Sequence, residues 1–185
     1  PFKQLLLKID LEFSEFTESI RNPILNKMML FFSFLGNEYT IIFCSIIIFV
    51  LLFYKKKNFH AIILLISLIF GEFFIWILKN IIQRPRPISL DALAFESSFS
   101  FPSGHAFIAI SFYFLLAYFY YRESKNKVLK RLSIIFGALL VMGIGFSRIY
   151  LGVHWLTDVL VSYIFGFVWI IILINIFRNK LKLED

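Results

Sequence analysis

Residues 61–78 read Ala-Ile-Ile-Leu-Leu-Ile-Ser-Leu-Ile-Phe-Gly-Glu-Phe-Phe-Ile-Trp-Ile-Leu, an apolar run with a single charge, Glu72. A helix crossing a bilayer needs roughly 20 largely apolar residues, with about 17 as a lower limit. Three further runs, 106–121, 132–146 and 159–177, repeat the pattern, and 39–54 adds a fifth. The shorter runs must borrow flanking residues to span. The apolar stretch from Asn22 to Gly36 stops at the turn signal Gly36-Asn37 and reads as a second surface helix or a half-buried lead-in to the first span. The expected fold is therefore an all-α, polytopic transmembrane bundle of five or six spans.

Composition points the same way. With 59% hydrophobic, 19% aromatic and 17% charged residues in 185 positions, the chain carries more apolar surface than one soluble core of that length could hide. The formal charge of +7 invites a nucleic-acid reading, but the basic residues fall between spans: Lys55, Lys56 and Lys57; Arg122, Lys125, Lys127, Lys130 and Arg131; Arg178, Lys180 and Lys182. By the positive-inside rule those segments are cytoplasmic, and the N-terminus and the two remaining loops face outward. No nucleic-acid partner is expected. No basic-then-apolar leader opens the chain, so insertion is expected to rest on the spans themselves. The lone Cys44 lies inside the first span, so it forms no intrachain disulfide and reads as a packing residue.

Ahead of the spans, Phe2, Leu5, Leu6, Ile9, Phe13, Phe16 and Ile20 recur at helical spacing opposite Lys3, Lys8, Asp10, Glu12, Glu15 and Glu18. An amphipathic helix lying on the membrane surface is one reading; packing of its apolar face against the other helices is the other. The sequence shows no internal repeat and no low-complexity linker. Residues 1–185 form one domain, with 1–36 as an interfacial lead-in and 79–158 carrying the chemistry.

Three constellations converge on the outer side. In the first, Lys79-Asn-Ile-Ile-Gln-Arg84-Pro85-Arg86-Pro87, three cations stand at the end of a hydrophobic helix, stiffened by two prolines. A single terminal cation would read as snorkelling to headgroups, but three on the disfavoured side call for an anion. In the second, Phe101-Pro102-Ser103-Gly104-His105, a helix begins; its free N–H groups and glycine make an anion site, or a plain cap with an interfacial histidine. The third runs from Ser147 and Arg148 through Tyr150 and Gly152 to His154 and Asp158. If a helix starts near His154, that residue and Asp158 share a face, and the carboxylate can orient the imidazole for nucleophilic work. The alternative is a structural His/Asp pair holding two helices together.

Taken together, lysine, six residues, Arg-Pro; Pro-Ser-Gly-His; and Ser-Arg, five residues, His, three residues, Asp resemble the signature of the type 2 phosphatidic acid phosphatase (PAP2) family. Eleven identities occur at fixed spacings in the family's order, over Lys79 to Asp158. The resemblance implies that Lys79, Arg86 and Arg148 hold phosphate oxygens, helped by Ser103 and the N–H of Gly104. It implies that His154, oriented by Asp158, attacks phosphorus to give a phosphohistidine, and that His105 protonates the leaving alcohol and then activates water. Pro87, Pro102 and Ser147 would support the site. No metal and no other cofactor is expected, because the cations themselves can stabilise charge on the equatorial oxygens.

The resemblance further implies a bacterial inner-membrane enzyme whose active site faces the periplasm. Its substrate would be a lipid phosphate, either undecaprenyl pyrophosphate, the 1-phosphate of lipid A, or phosphatidylglycerol phosphate. The loop from Ile88 to Phe101, with Leu90, Leu93, Phe95 and Phe99 beside Asp91 and Glu96, is expected to wall or lid the lipid. Arg84 lies outside the signature and would contact a second phosphate or the solvent. Glu72 is expected at a helix interface, and His60 at the cytoplasmic interface. Two rivals remain: the vanadium-dependent haloperoxidases, which share the anion site but are soluble, and a non-catalytic lipid-phosphate binding or transport protein. Oligomeric state stays open.

Overall fold

The computed structural model of the protein describes residues 2–87 and 92–183. Among them the chain is helical throughout, with no strand: α1 (Phe2–Ser19), α2 (Pro23–Leu35), α3 (Glu38–Tyr54), α4 (Asn58–Ile82), α5 (Gly104–Glu123), α6 (Lys127–Tyr150) and α7 (Leu156–Leu181).

The helix ends follow local chemistry. Asn22 precedes Pro23, and its Oδ1 accepts from the N–H groups of Ile24 and Leu25 at 3.1 and 3.0 Å, which starts α2. Asn37 caps α3 through Tyr39 N at 3.0 Å, and Asn126 caps α6 through Val128 N at 2.8 Å. Helices α4, α5, α6 and α7 are each long and apolar enough to cross a membrane. They contain the runs 61–78, 106–121, 132–146 and 159–177. Helix α3 is shorter, and it joins α2 across the Gly36-Asn37 break at a bend of 52°; only the two together are long and apolar enough for a crossing, as a broken span or a re-entrant loop. The described residues thus hold four or five candidate spans and no sixth.

Helix α5 is the centre of the bundle. Over half of its span, 56%, is buried, against 28–39% for the other three crossings. Ala106, Phe107, Ala109, Ile110, Phe112 and Leu115 are all buried where it meets α4, α6 and α7. A π turn at Ile110–Phe114 lies in its middle. There Ile110 packs so closely on Gly166 of α7 that a Cβ at that glycine would stand 3.0 Å from Ile110 Cβ. Outward-facing Phe43, Ile69, Phe73, Trp76, Leu139 and Ile176 give the bundle its apolar exterior. Cys44 is half-buried and packs against the Phe112 and Leu115 cluster, as a packing residue should.

Two expectations change. Helix α1 is amphipathic, but the stripe that meets the protein is Leu6, Asp10, Phe13 and Thr17, with Asp10 and Thr17 fully buried against the bundle. Leu5, Ile9 and Phe16 are exposed, so these members of the apolar stripe do not pack against the other helices, and of the two readings the membrane-surface one is left for them. Periodicity counts apolar residues and cannot foresee that a carboxylate will be buried because partners from other helices meet it. His60, in the first turn of α4 beside Lys57, is completely buried within the protein rather than exposed, 3.3 Å from Glu123 and edge-on to the Phe119 ring. Lys57 meets the same glutamate at 3.1 Å, which ties the α3–α4 turn to the end of α5.

Candidate active site

The C-terminal ends of α4 and α6, the N-terminal ends of α5 and α7 and the α2–α3 break all lie at one end of the bundle. A cavity of about 180 Å³ opens there, bordered by Lys79, Arg86, Glu96, Gly104, His105 and His154 together with Gly36, Asn37, Glu38 and Glu72. Residues from four separate segments, up to 118 positions apart between Gly36 and His154, thus share one space.

His154 is built by a turn. Gly152 adopts a positive φ of 77°, a conformation that L side chains rarely take. The chain folds back there, so that both Val153 N and His154 N donate to Arg148 O at 3.2 Å. His154 is only 3% exposed. Its Nε2 lies 3.1 Å from Arg86 Nη1, an arrangement in which Nε2 accepts and Nδ1 carries the proton. Nδ1 faces Asp158 Oδ2 at 3.5 Å. The contact is not made across a shared helix face, because α7 begins only at Leu156. It arises because Asp158, in the first turn, reaches back to accept from Trp155 N at 3.0 Å and so brings its carboxylate under the imidazole. Burial pushes the His154 imidazole down to about 3, with the Arg86 and Arg148 charges adding to the shift and the Asp158 hydrogen bond opposing it. The ring is therefore neutral at physiological pH, as a nucleophile must be.

Asp158 is fully buried and heavily held: Oδ2 also accepts from Ser100 Oγ, and Oδ1 from Arg84 Nη1. Sequence reasoning missed Ser100, one serine among several in its loop, and gave Arg84 to phosphate or solvent. Arg84 instead turns inward, with its guanidinium 5.6 Å from the Trp155 ring centroid.

The three clamp cations point into the same region but are held by the protein's own acceptors. Lys79 donates to Phe99 O. Arg86 donates to Ser98 O at 2.7 Å, Val153 O at 2.6 Å and Phe99 O at 3.2 Å, and burial lowers its affinity for its proton while Glu96 and Asp158 oppose that. Arg148 is 2% exposed and donates to Ser33 Oγ and to Glu96 Oε1. Glu96 thus stands between Arg148 and the cavity. Arg148 itself does not border that space, and its Nε is buried with no hydrogen-bond partner.

Other expected residues are placed differently. Gly104 borders the cavity, whereas the Ser103 side chain is buried and caps α5, accepting from Ala106 N at 3.4 Å. Ser103 N donates to Ser162 Oγ at 2.8 Å. Ser147 Oγ is spent on Ile144 O at 2.6 Å, and Pro102 is buried in the turn before α5, both structural supports; Pro87 ends the described part of its loop. Glu72 lies between α3 and α4, as expected of a helix interface, and also borders the cavity. In the expected lid, Ile88, Leu90 and Asp91 lie outside the described residues; Leu93 is pinned through its N–H to Leu151 O at 3.1 Å, and Phe95 is exposed.

An apolar groove of about 570 Å³ between α3 and α4 adjoins the cavity and shares Glu38, Glu72 and Ile108 with it. Its walls are Ile41, Ile42, Ile46, Leu65, Leu68 and Ile69.

Comparison with known proteins gives a consistent picture. Residues 60–182 match the PAP2 superfamily. Phosphatidylglycerophosphatase B of Bacillus subtilis is 37% identical over 88% of this chain and 80% of its own length. Dolichyldiphosphatase 1 of Homo sapiens is 31% identical over 64% of this chain and 53% of its own length. Among solved structures, the transmembrane PAP2-type phosphatidylglycerolphosphate phosphatase from Bacillus subtilis superposes with a TM-score of 0.88 at 30% identity, covering 95% of this chain and 87% of that one. Aquifex aeolicus LpxE superposes with a TM-score of 0.71 at 27% identity, covering 90% of this chain and 94% of that one.

Proposed function

Since the chain belongs to the PAP2 superfamily and is a multi-pass membrane phosphatase, we propose that it hydrolyses a glycerolipid phosphate monoester of the phosphatidylglycerol phosphate type through a phosphohistidine on His154. The observation that carries the lipid reading is the shared wall between the catalytic cavity and the apolar α3–α4 groove. A phosphate held by Lys79 and Arg86 leaves its hydrocarbon a continuous path towards the bilayer. The choice of headgroup draws support from the phosphatidylglycerophosphatase, which is the more similar in sequence and in superposition.

In this mechanism Lys79, Arg86, Arg148 and the Gly104 N–H hold the three non-bridging oxygens. Arg148 becomes available when the entering phosphate displaces Glu96. His154 Nε2 attacks phosphorus as the bond to the lipid alcohol breaks; His105, which borders the same cavity, delivers the proton to the leaving oxygen. The neutral His105 then takes a proton from water, which attacks the phosphohistidine and frees inorganic phosphate. Asp158 stabilises the imidazolium that forms at His154. The cation clamp supplies the charge that a metal would otherwise supply, so turnover should need no metal. Lys55–Lys57 and Arg178–Lys182 lie at the far end of the helices from the cavity. Under the positive-inside rule this supports an inner-membrane protein with its site on the periplasmic face.

The test is phosphate release by purified protein in detergent from phosphatidylglycerol phosphate, phosphatidate, a lipid A 1-phosphate and a prenyl pyrophosphate, with His154→Ala as the blank. The highest kcat/KM is expected on phosphatidylglycerol phosphate. A preference for the pyrophosphate would move the substrate to the class named by the dolichyldiphosphatases, and no release from any lipid would sink the catalytic reading.

A further inference from the structure

Burying a carboxylate is costly unless charges or hydrogen bonds meet it. Asp10, on a helix far from the signature motifs in sequence, is 1% exposed. Its Oδ1 accepts from Thr157 N at 2.9 Å, and its Oδ2 from Thr157 Oγ1 at 2.7 Å and from Arg84 Nη2 at 2.6 Å. The other arm of Arg84, Nη1, reaches Asp158 Oδ1 and Thr157 Oγ1, the latter at 2.7 Å. One guanidinium is therefore shared between two buried carboxylates.

A guanidinium facing a single carboxylate closes a two-pronged pair with both oxygens. Here the fork is split. Asp158 surrenders only Oδ1 to it, and Oδ2 is left for Ser100, for Trp155 N and for the face of His154 Nδ1. We propose that Asp10 is a positioning residue of the catalytic pair: by holding one arm of Arg84 it prevents Arg84 from chelating Asp158, and so keeps that carboxylate turned towards His154. Without Asp10, the freed Nη2 swings onto Asp158 Oδ2, the imidazole loses its orienting partner, and the Nδ1–H tautomer is left with Arg86 Nη1 at Nε2 as its one remaining support. Helix α1 thereby becomes part of the catalytic apparatus, with its exposed Leu5, Ile9 and Phe16 on one side and a two-residue relay to the nucleophile on the other. The inference rests on the reading of His154 as nucleophile.

Asp10→Asn, which keeps the side-chain shape and loses the charge, tests it. Expected is a tenfold to hundredfold fall in kcat for lipid phosphate release with KM within twofold, and a mixed tautomer in the ¹⁵N imidazole signals of His154. Lysine cannot chelate, so Arg84→Lys in the Asp10→Asn background should recover kcat at least threefold over Asp10→Asn alone. A role confined to docking α1 predicts the reverse: the double variant worse than either single, and activity tracking the folded fraction. That result, or Asp10→Asn within twofold of wild type with His154 signals unchanged, overturns the proposal. Should Asp10→Asn not fold alone, the comparison runs between Arg84→Lys and the double variant, where losing Asp10 must cost less than threefold; a larger loss overturns it. If the wild type released no phosphate from any lipid, the functional reading would fall, and the His154 tautomer would still decide the positioning.

Discussion

Replacing Glu96 by glutamine should tighten substrate binding, because Glu96 holds the Arg148 arm that a phosphate oxygen needs. Arg148 is 2% exposed and the glutamate side chain 31%. A hydrogen bond to a charged group contributes about 1.5–3 kcal/mol when well shielded, and the partial exposure of Glu96 trims that to about 1–2 kcal/mol. The whole of it must be given up when phosphate takes its place. Glutamine keeps a neutral hydrogen bond and loses about half, or about 0.5–1 kcal/mol, which is about a two- to fivefold fall in KM at roughly 1.4 kcal/mol per decade; alanine should lower KM by up to about thirtyfold. The assay is initial-rate phosphate release over a lipid concentration series in mixed micelles. Orthovanadate, competing for the same clamp, should gain the same factor in inhibition constant. If KM is unchanged or rises in both variants while vanadate inhibition stays constant, Glu96 does not compete with phosphate at Arg148 and the reasoning fails.

Gly36→Ala would set a Cβ 2.6 Å from Ile144 Cγ2 and 3.2 Å from His105 Cδ2; a loss of about 1–3 kcal/mol in stability and a disproportionate fall in kcat are expected, read by thermal melting in detergent beside turnover. His154, held near 3 against an ordinary 6.5, makes the folded state bind fewer protons than the unfolded chain between those values. Its contribution to stability is thus complete above pH 6.5 and is lost as pH falls towards 3, so melting temperature should drop from pH 7 to pH 4.5 and drop less in His154→Gln; parallel curves for the two proteins would contradict this. Turnover should survive a chelator at millimolar concentration, and its disappearance, with recovery on adding one divalent metal, would replace the metal-free mechanism.

What the sequence made legible was whatever is local or composition-driven. The four long crossings follow from hydropathy and length alone, but their helices run four to nine residues beyond the apolar runs, where Asn126 or the Asp158 turn sets the boundary. The turn at Gly36-Asn37 was readable, but its angle of 52° was not, because that depends on Gly36 lying against Ile144 and His105. Lys79, Arg86, His105 and His154, each marked by its motif, border one cavity. The relay around Asp158 was hidden for a physical reason: Arg84 and Asp158 are 74 residues apart, as are Arg84 and Asp10, and no periodicity marks a buried pair whose members come from different helices. Arg84 looked like surface, and Asp10 like the wet face of an amphipathic helix, because each was judged without the other.

The clamp's own acceptors bear on how the site spends binding energy. Lys79 is held by Phe99 O, Arg86 by Ser98 O and Val153 O, and Arg148 by Glu96, so a phosphate exchanges contacts rather than adding them. Exchange of this kind gives a modest gain in the ground state. The gain grows when charge spreads onto the equatorial oxygens, since backbone carbonyls cannot match that charge. A site so arranged discriminates in favour of the transition state, and until phosphate arrives the loop carbonyls keep the cations oriented. It also makes loop 92–100 a determinant of rate: through Ser98, Phe99 and Ser100 one short segment orients Arg86, Lys79 and Asp158 together. Three groups that the sequence scatters over 80 positions therefore depend on the backbone of one stretch with no signature of its own.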